Sequence, residues 1–185
     1  MITLAFIRHG ATKGNLEKRY IGRTDEPLCD VGIQQALRLR NYNFPSEHIF
    51  VSPMKRTLET AKLIFPERKY ITEEDFRETD FGIFEGKSAA ELSENKEYRR
   101  WVDSMCLSPI PDGESVTDFK KRCITAFEKI IQALPENSEA SFVVHGGVIM
   151  AVLEAFAENK SNFYDYHINN GEFLLCRFEN GKIKF

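Results

Sequence analysis

The chain has 185 residues, 42% of them hydrophobic and 29% charged, with a formal net charge of −3. That size and balance predict one soluble domain over 1–185 that buries roughly 70% of its unfolded surface, and the mild acidity excludes a general nucleic-acid or anionic-membrane binder. The apolar start ends at Arg8 with no basic segment ahead of it, so it reads as neither a signal peptide nor a membrane span; Cys29, Cys106, Cys123 and Cys176, irregularly spaced, read as reduced thiols of a cytoplasmic protein.

In chain order, Thr3 to Ile7 reads as a strand buried on both faces, and it runs into Arg8-His9-Gly10. Asp30 is placed to cap a helix through about Arg40, with Ile33, Ala36 and Leu37 on one face. His48 to Val51 reads as a second strand. Ser52-Pro53 reads as an N-cap and first helical position, opening a helix that carries Met54, Leu58, Ala61, Ile64 and Phe65 and stops at Pro66. Glu73-Glu74-Asp75 reads as a solvated acidic loop, and a short helical piece is expected around Glu97 to Met105. Ser115, with Asp118 three residues on, caps the clearest helix. Its apolar stripe is Val116, Phe119, Cys123, Ala126, Phe127, Ile130, Ile131 and Leu134, closed by Pro135. Ala140 to Val144 is a third strong strand, running into His145-Gly146-Gly147. Val148 to Phe156 is apolar nearly all round and reads as a buried helix. Glu172 to Phe178 and Lys182 to Phe185 flank Asn180-Gly181, a hairpin signal. This alternation predicts an α/β fold with a mainly parallel sheet.

Parallel strands deliver their carboxyl ends to one rim, where α/β proteins hold ligands. The first strand brings Arg8 and His9, the second Ser52 with Arg56 one turn on, the third His145. Two guanidiniums and two imidazoles make an anion site, because a guanidinium forks onto phosphate oxygens and keeps its charge. The amides after Gly146 open a helix and would face the same anion. A neutral imidazole there can attack phosphorus, and a carboxyl can protonate the leaving alkoxide and then activate water. Glu73, Glu74, Asp75, Glu78, Asp80 and Glu85 are all candidates for that carboxyl. His48 and His167 lack such a setting and read as surface or structural. Cys106 has no partner in sequence that would make it a nucleophile. A His/His/Glu metal site would seat two arginines beside a cation, which electrostatics opposes.

These residues resemble the histidine phosphatase superfamily, also called phosphoglycerate mutase-like. Ile7-Arg8-His9-Gly10-Ala11-Thr12 with Asn15 resembles its signature. Gly22-Arg23-Thr24-Asp25-Glu26-Pro27-Leu28, Ser52-Pro53-Met54-Lys55-Arg56-Thr57, Glu78-Thr79-Asp80-Phe81-Gly82, Phe84-Glu85-Gly86, Pro111-Asp112-Gly113-Glu114-Ser115 and Val144-His145-Gly146-Gly147-Val148 follow in the family's order. The resemblance implies a three-layer α/β/α sandwich and no metal or other cofactor. It implies that His9 is the phosphorylated nucleophile, and that Arg8, Arg56 and His145, supported by Asn15, are the phosphate pocket. Glu78 is then the proton donor and later base, and Glu85 a structural residue. The expected partner is a small phosphomonoester substrate, with room left for a homo-oligomer. Phe84 stands where many relatives have tryptophan, and Met150 where many have arginine. The family's mutases usually carry extra segments over the site; this chain is shorter, so water is the expected acceptor. The alternatives are mutase-type transfer, a broad-specificity sugar-phosphate or phosphoserine phosphatase, and a non-catalytic phospho-ligand module. The stretch from Tyr98-Arg99-Arg100-Trp101 to Gly113-Glu114-Ser115 is similar to α-ribazole phosphatases of cobalamin assembly, and about 87–112 is expected to shape the substrate mouth.

Overall fold

Four consecutive apolar residues, Leu4 to Ile7, demand cover on both faces of a strand, and helices provide it. The computed structural model describes residues 1–185. Its sheet has six strands: β1 (Ile2–Arg8), β2 (His48–Val51), β3 (Ile71–Thr72), β4 (Glu139–Val144), β5 (Phe173–Glu179) and β6 (Lys182–Lys184). Their spatial order is β3-β2-β4-β1-β5-β6. The β3, β2, β4 and β1 strands are parallel, whereas β5 runs antiparallel to β1 and β6 to β5. The helices are α1 (Lys13–Leu16), α2 (Asp30–Leu39), α3 (Lys55–Ile64), α4 (Lys96–Asp103), α5 (Val116–Ala133) and α6 (Gly146–Phe156). None is long and apolar enough to cross a membrane.

Side-chain alternation sorts two cores onto the two faces. Leu4, Phe6, Phe50, Phe142 and Val144 pack with Phe119, Cys123 and Phe127 of α5 and Val148, Ile149 and Val152 of α6. Ala5, Ile7, Ile49, Val51 and Val143 pack with Leu39 of α2 and Ala61 and Ile64 of α3. The result is the expected three-layer α/β/α sandwich. Phe6, Phe142 and Phe50 occupy paired register positions on three neighbouring strands, and their rings stack with centroids 5.2 Å apart at each step. Truncating Phe142 to alanine removes the middle of that stack and costs about 3–5 kcal/mol. A smaller cluster of Phe84, Leu92, Tyr98, Trp101 and Ile110 anchors α4.

Several local expectations change. Ser52 does not cap α3; the helix starts at Lys55 behind Met54, which makes no side-chain cap bond. Asp30 does not cap α2 either. It is the helix's first residue, where its charge meets the positive end of the helix dipole, and Cys29 precedes it. The Glu73-Glu74-Asp75 run is not a free loop. The Glu73 carboxylate accepts from the Asp75 amide at 3.1 Å and caps a 3₁₀ turn over Glu74–Phe76, because Phe76 must be buried against Phe142. Ser115 does cap α5, its Oγ accepting from the Asp118 amide at 3.0 Å. Asn180 and Gly181 have φ of 52° and 75°, the left-handed pair that a two-residue hairpin requires.

Candidate active site

Strand order decides the geometry. β1 and β4 are adjacent, with Arg8 paired to Val144, so the residues that follow leave the sheet side by side. The His9 amide donates to the Val144 carbonyl at 3.1 Å. The rings of His9 and His145 meet edge-on, 5.1 Å between centroids at 66°, and both are buried. On the other flank of β4, the Ser52 amide donates to the Val143 carbonyl at 3.3 Å. Ser52 Oγ then lies 2.8 Å from His145 Nε2, the role that replaces helix capping.

Partners fix the protons. His9 Nδ1 is 2.7 Å from the Gly10 carbonyl, which can only accept, so Nδ1 carries the hydrogen and Nε2 keeps its lone pair. His145 Nδ1 accepts from Arg56 Nε at 3.3 Å, so its hydrogen is on Nε2, donated to Ser52. Burial first, and the Arg56 charge second, hold both imidazoles well below their ordinary value. Both rings are therefore neutral at neutral pH. The turn after His9 is held by the Gly10 amide on Thr60 Oγ1 (3.0 Å) and the Ala11 amide on Gln35 Oε1 (2.8 Å).

Arg56 is fully buried; its Nη1 and Nη2 donate to the Thr24 and Gly22 carbonyls, each at 2.9 Å. Glu85 pins that loop. Its Oε1 accepts from the Gly22 and Thr24 amides (2.8 and 2.9 Å) and its Oε2 from the Phe81 amide (3.2 Å). Arg8 Nη1 donates to the Ile168 carbonyl (2.6 Å) and to His167 Nε2 (3.1 Å). Arg8 Nε is buried and finds no acceptor in the protein, which an oxyanion would satisfy. Burial lowers both guanidiniums below their ordinary value, and Glu78 is the largest charge opposing that shift.

Among the candidate carboxylates, only Glu78 joins the histidine rim. Its Oε1 accepts from the Thr79 amide (2.9 Å) and its Oε2 from the Gly147 amide (3.1 Å). Glu73 caps its own turn, Glu74 pairs with Arg77 at 2.6 Å, and Asp80 accepts from the Gly82 amide at 2.9 Å. The expectation that amides after Gly146 face an anion is corrected for Gly147, whose N–H holds Glu78. Gly146 has a steric role as well. A Cβ there would lie 3.2 Å from Arg8 Cζ, so glycine lets the guanidinium rest against the start of α6. Asn15 Oδ1 accepts from the Thr12 amide (3.1 Å) and Asn170 Nδ2 (3.2 Å), which leaves its own Nδ2 as the group able to donate to an anion. No three His, Cys, Asp or Glu side chains converge as metal ligands.

Two contributors escape sequence reading. His167, expected to be a surface or structural residue, touches Arg8 and lines the same cavity as Glu78. It follows a short 3₁₀ turn, Phe163–Tyr166, and nothing in its neighbours signals that position. Arg122 donates to the Asp75, Arg77 and Glu78 carbonyls (2.6, 2.7 and 3.2 Å) and binds Glu114 with two further bonds (2.7 and 2.8 Å). Its signal was a cation three residues after Phe119 and four before Ala126, on the apolar stripe of α5.

A family model described as histidine phosphatase superfamily (branch 1) matches residues 4–185. The chain belongs to that superfamily. A relative named "Probable phosphoglycerate mutase GpmB", from Proteus mirabilis (strain HI4320), is 32% identical over 172 residues, covering 86% of this chain and 80% of the relative. The solved α-ribazole phosphatase of Shigella flexneri superposes with a TM-score of 0.84 over 98% of this chain and 93% of its own; at 20% identity it is evidence of the shared fold. A phosphoglycerate mutase structure from Thermus thermophilus matches at a TM-score of 0.76 and 28% identity, covering 99% and 96% of the two chains. As a histidine phosphatase superfamily member, the chain is an enzyme acting on small phosphorylated substrates.

Proposed function

We propose that the chain is a phosphomonoester hydrolase working through a phosphohistidine at His9. The observation that carries this reading is the His9 ring itself, buried beside two guanidiniums with Nδ1–H on the Gly10 carbonyl and a lone pair on Nε2. Nε2 attacks phosphorus, and the bond from phosphorus to the ester oxygen breaks. Glu78 gives its proton to the departing oxygen. Arg8 and Arg56 stabilise charge on the equatorial oxygens, with His145 and Asn15 as further contacts. The Glu78 carboxylate then takes a proton from water, whose oxygen attacks phosphorus. The N–P bond breaks, and His9 and inorganic phosphate are released.

The test is p-nitrophenyl phosphate turnover in EDTA, for wild type and His9→Ala, with acid-quenched protein analysed for phosphohistidine. Full activity in EDTA is expected, along with a loss of at least roughly 10³-fold on removing the nucleophile. Equal rates for the two proteins refute the assignment. Glu78→Gln is expected to slow alkyl phosphates far more than p-nitrophenyl phosphate, whose leaving group needs no proton.

The Proteus relative's name supports a second reading, mutase-type phosphoryl transfer. Incubation with 3-phosphoglycerate and a bisphosphate primer separates the two: a hydrolase releases inorganic phosphate, and a mutase yields 2-phosphoglycerate. For the physiological ester, the likeness of the stretch from Tyr98 to Ser115 to α-ribazole phosphatases puts α-ribazole 5′-phosphate first in a panel that also holds sugar phosphates and phosphoserine.

A further inference from the structure

Beside Arg8 and Glu78 the site opens into a cavity of about 200 Å³. Arg8, Glu78, Thr79 and His167 with the Gly146-Gly147 backbone form its polar end, and nine hydrophobic side chains, among them Tyr20, Phe81, Trp101, Phe119, Met150 and Phe163, form the rest. The segment 87–112, expected to shape this mouth, contributes only Trp101 and Ile110. The other walls come from the loop after α1, from the Glu78–Phe81 segment, from α5 and α6, and from the 3₁₀ turn at Phe163–Tyr166.

The apolar wall is preformed. Tyr20 stands edge-on to Trp101 (5.7 Å, 83°) and tilts against Phe81 (5.1 Å), while its hydroxyl pairs with Tyr98 at 2.9 Å. Trp101 is held from behind by Phe84 (5.6 Å) and Tyr98 (5.9 Å). A dry apolar cavity of roughly 150 Å³ admits benzene, so this one takes a group of one or two rings.

The cavity's charges are equally informative. Arg8 is its only cation and Glu78 its only carboxylate. A substrate carboxylate placed there would face Glu78 across apolar walls with no second cation. Flat rings suit a wall of aromatic edges and faces.

The geometry points to a phosphomonoester whose alcohol portion is uncharged and carries an aromatic or heteroaromatic ring. This deepens the hydrolase reading and rests on it for the identity of the reaction. Binding tests it apart from turnover. By calorimetry, benzylphosphonate should bind wild-type protein at least about tenfold more tightly than methylphosphonate or 2-carboxyethylphosphonate. Met150→Lys and, independently, Val116→Lys place a cation at the cavity wall and should cut that preference at least about fivefold; retained thermal melting confirms that each variant is folded. In turnover, benzyl phosphate should exceed glycerol 3-phosphate in kcat/KM by at least about tenfold, a fair comparison because both are alkyl esters whose leaving oxygen needs the Glu78 proton. Equal affinities, or tighter binding of the carboxylated phosphonate, overturn the inference even if His9-dependent hydrolysis is intact. A ring preference in binding with no His9-dependent hydrolysis overturns the reaction and leaves the cavity's selectivity standing.

Discussion

Glu78 Oε2 accepts the Gly147 amide at 3.1 Å, which ties the proposed acid to the helix that begins where His145 ends. The contact needs a glycine. A Cβ at Gly147 would overlap Glu78 Oε1 and lie 2.9 Å from Phe119 Cζ. Gly147→Ala should therefore displace the acid while sparing the guanidiniums. A kcat loss of roughly 10–100-fold on alkyl phosphates is expected, with inhibition by inorganic phosphate changed by less than about threefold. A parallel loss of phosphate affinity would show that the substitution damages the anion pocket instead.

Arg122 acts on the same carboxylate through its backbone. Its donations to the Asp75, Arg77 and Glu78 carbonyls hold the acid-bearing segment against α5, and its guanidinium carbon lies 4.9 Å from the Phe119 centroid. Arg122→Met should cost about 2–4 kcal/mol, because it leaves Glu114, a mostly buried carboxylate, without its partner. The functional mark of a positioning role is a kcat fall of about tenfold with phosphate inhibition unchanged. Urea denaturation and steady-state kinetics on one preparation check both. Loss of stability with normal kcat would leave Arg122 purely structural.

His145 Nδ1 accepts from Arg56, so in the free protein it has no hydrogen to offer a phosphate oxygen. A dianion beside it reverses the electrostatics that keep the ring neutral. Phosphate binding near pH 8, where the free ligand is already the dianion, should then draw about one proton from solvent onto His145. Calorimetry in buffers of different ionisation enthalpy measures that uptake directly. Proton uptake that persists in His145→Asn would move the effect elsewhere.

Stability should also follow the imidazoles. His9 and His145 titrate well below the unfolded value of about 6.5, chiefly through burial, and His167 is lowered by burial and then by Arg8. Between those folded values and 6.5 the unfolded chain binds more protons. Stability is therefore complete above about pH 6.5 and falls on acidification, by up to about 1.4 kcal/mol per pH unit for each of the two buried histidines, His9 and His145, while the exposed His167 adds little. Urea midpoints of ligand-free protein at pH 7.5 and 5.5 read this slope. His145→Asn should flatten it by about one proton; an unchanged slope would remove His145 from the account.

Much of this was legible in the chain itself. The buried strands β1, β2 and β4 announce themselves through unbroken apolar runs, α5 through its stripe and Ser115 cap, and the last hairpin through Asn180-Gly181. β3 was not legible, because Ile71 and Thr72 are both exposed and too few to show alternation. Ser52 and Asp30 misled because a residue that can cap a helix reads the same when its side chain serves elsewhere.

Local pattern also determined that Arg8, His9, Ser52, Arg56 and His145 lie at strand ends or one turn beyond, since burial periodicity and glycine turns act over a few residues. Only the tertiary structure decided that β1 and β4 are neighbours in register, which seats the two imidazoles together. It also set Glu78, alone of the six candidate carboxylates, beside the histidine rim, brought His167 onto Arg8, and gathered Tyr20, Phe81, Trp101, Phe119 and Phe163 around one cavity. Such contacts join residues far apart along the chain, and they depend on strand order and loop paths that no short-range pattern encodes.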